Sequence, residues 1–278
     1  MKSISRIFTL AFLLPLLLSC NPVSNDTDFD DPAFLAFAGR LTPKGVMPGT
    51  KAASTLPVGS VTSIELTESG LVALGIVADE AGNIVYQTGK YSVTDDVYTL
   101  YGLGTLAFNN SVSGQVSLTY TPLFGEPQQI PAEFLKPKST NKAFRTWKVE
   151  KTRLTVRGWT VVSADFKGCD LAEIAEFLRN NGNKAPDDVP NISVTTISLT
   201  GTETMILGYS DNSAELNEFS LNGNVLTYTW KERPDGFTFI SDQAVIEYRD
   251  GKCLLTIDGY IRNSTTSGSV TFVLSSMD

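Results

Sequence analysis

The chain has 278 residues and sets Lys+Arg 22 against Asp+Glu 30, a formal net charge of −8. That balance gives no electrostatic reason to bind nucleic acid. The count His 0 excludes Ser-His-Asp and Cys-His dyads, His-ligated zinc and bis-His haem. Neither a cofactor nor a metal is expected.

Residues 1–19 open with Lys2 and Arg6, run through apolar Ile7 to Leu18 and close on Ser19. This is the order of a secretory signal, too short to remain as a membrane span. Leu17-Leu18-Ser19-Cys20 is similar to the lipobox of bacterial lipoproteins. The resemblance implies cleavage before Cys20, diacylglycerol on its thiol and a fatty acid such as palmitate on the new amino terminus. Several acyl chains anchor stably where one is marginal. The implied location is the cell envelope, on the outer membrane, with periplasmic and external faces both open. Residues 1–19 hold two bases and no acid, so removal leaves 20 basic against 30 acidic side chains, a net of −10. The membrane partner is therefore reached through lipid, not through a basic patch.

Residues 20–55 read as a lipidated flexible tether, interrupted by Pro22, Pro32, Pro43 and Pro48 and loosened by Gly39, Gly45 and Gly49. A coil of this length reaches roughly 30 Å. Its cluster Asp26, Asp28, Asp30 and Asp31 resembles a surface-export signal of some Gram-negative lipoproteins, and equally suits a solvated linker. Ala33-Phe34-Leu35-Ala36-Phe37 is apolar enough to dock on the body or form an edge strand.

From Val58 the chain is a series of short Val, Ile, Leu, Thr, Tyr and Phe runs between Gly, Asn and Asp. The expected strands are Val61–Leu66, Leu71–Ala78, Ile84–Val93, Tyr98–Phe108 broken at Gly102 and Gly104, and Val116–Tyr120. A second series holds Thr146–Val149, Leu154–Val156, Trp159–Phe166, Val194–Leu199, Thr204–Tyr209, Glu218–Leu221 and Val225–Trp230. Phe237–Ile240, Val245–Tyr248, Cys253–Ile257 and Val270–Leu274 complete it. Asn222-Gly223 and Asp250-Gly251 are hairpin signals, which favour an antiparallel meander. One short helix is expected at about 170–181. Asp170 caps it, Glu173 completes a capping box, Asn181-Gly182 stops it, and Leu171, Ile174, Ala175 and Leu178 share a face.

Three pairs of stretches echo one another in order: Ser63–Thr67 with Thr196–Thr200; Tyr91–Val93 and Tyr98–Tyr101 with Phe219–Leu221 and Leu226–Thr229; Ser113–Leu118 with Ser267–Phe272. They predict two related β lobes, 56–138 and 139–278, joined near Pro137–Lys142. Arg145-Thr146-Trp147-Lys148-Val149 and Leu66-Thr67-Glu68-Ser69-Gly70 resemble the lipocalin-like lipoproteins of Gram-negative bacteria, although the Gly-x-Trp of true lipocalins is absent. The resemblance implies an all-β, lipocalin-like barrel or sandwich for each lobe, with a binding role and no chemistry.

Few residues suggest a site. Asp95-Asp96 and Asp187-Asp188 are adjacent acids in turns, not carboxylates facing across a cleft. Asp211-Asn212-Ser213-Ala214-Glu215 lacks the glycine and distant Glu of a calcium loop. Cys169 and Cys253 form either a disulfide or two buried free thiols. Trp147 and Trp159 suit a core; Trp230, with Tyr228, is the candidate for ligand contact near a strand end. The expected function is a non-enzymatic envelope lipoprotein binding a small apolar or glycan ligand. The alternative is a structural or adhesive surface subunit assembling through sheet edges.

Overall fold

A computed structural model describes residues 39–43, 56–135 apart from 68, 96, 113 and 114, and 141–277 apart from 159, 183–188, 229–238, 242 and 262–266. Cys20, Trp159, Trp230, Asp96, Asp187 and Asp188 lie outside the described residues. The described chain falls into two compact units, one holding 39–146 and 198–216, the other 147–197 and 217–277. The halves expected from sequence are therefore redrawn: residues 141–146 and 198–216, from the later half, belong with the earlier one.

The first unit contains β1 (Gly39–Pro43), β2 (Val61–Leu66), β3 (Leu71–Val77), β4 (Ile84–Thr94), β5 (Val97–Leu100), β6 (Gly104–Val112), β7 (Gln115–Pro122) and β8 (Gln128–Leu135). Each pairs antiparallel with the next, and β8 pairs with β1, so eight strands close into a barrel. Closure satisfies every edge. Alternate residues point inward, as the period-2 pleat requires. Leu41, Ile64, Leu66, Val72, Leu74, Tyr91, Tyr98, Leu100, Leu106, Leu118 and Tyr120 are buried together in one cluster. The interior of this barrel is filled by its own side chains.

The strand β1 corrects the tether reading, because residues 39–43 close the barrel. Leu41 enters the core, and Arg40 stands opposite Glu65 in register. A five-residue strand between Gly39 and Pro43 carries too short an alternation to stand out in sequence. The strand β8, interrupted by Pro131, was likewise not expected from its residues.

Residues 198–216 cover the outer face of β2–β4. They carry the end of β11 (Val194–Leu199), all of β12 (Thr204–Tyr209) and the start of β13 (Ser213–Asn222). Ile206 and Ala214 pack on Ala73, and Ser213 and Ala214 pair with Gln87 and Tyr86. Gly75 is small because of its neighbours in the barrel wall: a Cβ there would lie 2.7 Å from both the Ser63 and Thr62 hydroxyls.

The second unit holds β9 (Thr146–Arg157), β10 (Val161–Lys167), α1 (Leu171–Asn180), β14 (Val225–Tyr228), β15 (Phe239–Ile240), β16 (Gln243–Arg249), β17 (Lys252–Ile261) and β18 (Ser267–Ser276), with parts of β11 and β13. Its antiparallel order is β13-β14-β16-β17-β18-β9, with β10 and β11 both on β9 and β15 on β17. The helix forms as expected. Asp170 Oδ1 accepts the Glu173 amide at 3.0 Å, Gly182 takes φ 73°, and Leu171, Ile174, Ala175 and Leu178 are buried.

This order repeats that of the first barrel, read as β4-β5-β6-β7-β8-β1-β2. Tyr91 opposes Leu100 as Phe219 opposes Tyr228. The pairs Thr94–Val97 and Val112–Gln115 end their ladders where Asn222–Val225 and Arg249–Lys252 end the equivalent ones. The turns after Leu66 and Leu199 match bond for bond. In each, the threonine hydroxyl accepts the amide four residues on, Leu71 or Thr204. Its own amide bonds the carbonyl of that residue, and Gly70 and Glu203 take positive φ. Two of the three sequence echoes thus fall on equivalent strands. The third does not: Ser113–Leu118 leads into β7, whose counterpart is β17, whereas Ser267–Phe272 lies on β18.

Candidate functional site

The expected ligand contact at Tyr228 is a core position. Its side chain is buried, and its hydroxyl pairs with Ser241 Oγ at 2.8 Å. Trp147 is also buried, its ring centroid 6.2 Å from that of Tyr248. Cys169 and Cys253 are both buried and form no disulfide. Burial pushes the Cys169 thiol up to about 12, which leaves it protonated and unreactive.

The Asp211 segment is a hairpin turn, as read. Asp211 Oδ1 accepts the Ser213 amide at 2.9 Å, and Asn212 takes φ 65°. Among the described residues no group of three or more acidic, Cys or His side chains could hold a metal ion.

A polar cluster lies under residues 198–204. Glu65 is 1% exposed, and its carboxylate meets Arg40 Nε at 3.0 Å. It also accepts the hydroxyls of Thr202 and, at 3.3 Å, Thr204. Thr146 bonds Ser69 and, at 2.8 Å, Ser198. By repeat position Thr146 corresponds to Arg40 and Ser198 to Glu65, so equivalent residues grip the two matching turns. Every Glu65 oxygen is occupied, which makes this a structural clasp.

The surface that stands apart is one end of the first barrel. There, Gly59 N of loop 57–60 donates at 2.8 Å to Val77 O, the end of β3 from which loop 78–83 leaves. Gln128 bridges Val61 N at 3.3 Å and Gly59 O at 2.9 Å. The Leu123 amide donates to Leu103 O at 3.3 Å, tying loop 123–127 to loop 101–103. The Tyr120 hydroxyl donates to the same Leu103 carbonyl at 2.8 Å, and burial pushes Tyr120 up to about 12. Gly104, at φ 136°, permits the close approach, since a Cβ would lie 2.2 Å from Thr121 O. Leu103 packs inward and caps the core.

On this firm base the loop tips present apolar side chains to solvent. Phe124 is 92% exposed, Leu123 57%, Val58 55% and Tyr101 38%. A fully solvated Phe on a braced turn marks a contact surface more readily than a scattered Leu does. The chain enters β1 at the opposite end, where Gly39 pairs with Leu66. Sequence reading passed over this rim; its signal was Leu123-Phe124 inside a Pro122–Pro127 turn, where polar residues are usual.

No protein-family model, curated protein or solved structure matches this chain.

Proposed function

We propose that the chain is a lipid-anchored envelope protein of the outer membrane that acts by binding, without chemistry of its own, through the loop-bearing end of its first barrel. The observation that carries this is the contrast between a filled interior and an exposed Phe124 at the braced rim. A small apolar ligand inside this barrel would have to displace core side chains. Assembly through sheet edges also loses ground for this unit, whose edges are all paired. The lipobox resemblance at Cys20 supports the anchor, and the absence of histidine supports a binding role.

Two measurements test the reading. Metabolic labelling with a fatty-acid analogue is expected to tag the wild type and not Cys20→Ala; equal labelling removes the anchor. Native mass spectrometry of the chain released from its own membrane is expected to show a bound species that a Leu123→Ser, Phe124→Ser variant loses. A species kept by that variant places binding elsewhere.

A further inference from the structure

We infer that the rim of the first barrel receives a polypeptide segment carrying a large apolar side chain flanked by Lys or Arg; this rests on the binding role proposed for that end. Three observations point to such an occupant. The apolar part of the surface mixes aliphatic Val58 and Leu123 with Phe124 and Tyr101, a combination suited to a protein side chain.

The charged side chains on the rim's described loops are acidic, while exposed Lys90 of β4 lies beside Tyr101. Among the described residues of loops 56–60, 78–83, 101–103 and 123–127 the charged side chains are Asp79, Glu80 and Glu126. Opposite charge on the partner steers approach and fixes orientation, and like charge repels anionic lipid.

Two of the polar side chains that a sugar could use are already engaged. Asn83 donates to Asp79 from both its amide and its side chain, and Gln128 is held between Val61 and Gly59. A glycan would meet carboxylates and hydrocarbon, with few open side-chain donors. A basic, apolar peptide meets complementary groups on both counts, at the end of the barrel farthest from where the chain enters.

The test uses the mature lipidated chain in neutral detergent and three probes: a synthetic peptide alternating lysine and phenylalanine, its glutamate-for-lysine counterpart, and a neutral oligosaccharide. The lysine peptide is expected to bind. Phe124→Ser, at an exposed and therefore fold-neutral position, should weaken it at least tenfold, of the order seen for a buried aromatic anchor. Glu80→Lys with Glu126→Lys should weaken it further, and added salt should act in the same direction. Equal binding of both peptides, no binding of the lysine peptide, or unchanged binding by Phe124→Ser overturns the inference. Sugar binding that Phe124→Ser abolishes, without peptide binding, overturns the polypeptide assignment and leaves the rim as the contact surface.

Discussion

The closed first barrel and the sheet of the second unit share a strand order and differ most at one connection. Between β1 and β2 the chain spends residues 44–60; between the equivalent β9 and β11 it spends 158–193, which include β10 and α1. Ladder hydrogen bonds hold the order of a meander, so extra chain at a single connection leaves the remaining registers intact. The inserted helix brings its own apolar face, Leu171, Ile174, Ala175 and Leu178. The first barrel has instead an acid–base clasp and a bare apolar rim. Repetition set the scaffold, and each unit departs from it in its own place.

The sharpest way to break this comparison is at the clasp. Glu65→Gln removes the buried carboxylate that meets Arg40 Nε and is expected to destabilise the first unit by about 3 kcal/mol. Replacing both, Arg40→Met with Glu65→Leu, should recover much of that loss. Urea titration reads both, and an unchanged midpoint in the single variant would show the clasp to be idle. Leu118→Ala, in the filled interior, is expected to cost about 2–5 kcal/mol; a loss well below that range would reveal a core with room for a ligand.

Tyr120 gives the first barrel an alkaline limit. A phenol held up to about 12 in the fold, against about 10 in the unfolded chain, contributes stability that is whole below about pH 10. It is lost as pH rises toward 12. Tyr120→Phe should flatten that decline in a chemical-denaturation series, and an unchanged slope would assign the decline to other groups. In the second unit, Asp170→Ala removes the helix cap at a cost of about 1 kcal/mol, read from the same titrations. The smallest effect belongs to the rim: Phe124→Ser should change stability by less than about 0.5 kcal/mol, because its ring is already in water.

Much of the scaffold was legible because it is local. The strands at 61–66, 194–199 and 204–209 show their period-2 alternation or apolar runs over whole elements, and the helix announces itself through Asp170, Glu173 and a four-residue apolar face. The missed strands explain themselves in the same terms. The element at 39–43 is too short to show a period, and Pro131 breaks the pattern of 128–135. Partnership between distant segments was not legible: nothing near Glu65 foretells Thr202, and nothing near Ala73 foretells Ile206. The false echo between 113–118 and 267–272 shows the same limit, since generic strand composition matches without structural equivalence. Tyr228 was singled out for its aromatic type, yet its register opposite Phe219 turns it into the core.

The most direct test of the account is hydroxyl-radical footprinting of Phe124 and Tyr101 on intact cells beside the purified chain. Phe124 is expected to oxidise readily in the purified protein and to be protected in its own envelope, while buried Tyr91 stays protected in both. Equal oxidation of Phe124 in the two settings would contradict the claim that the barrel meets its partner at this rim.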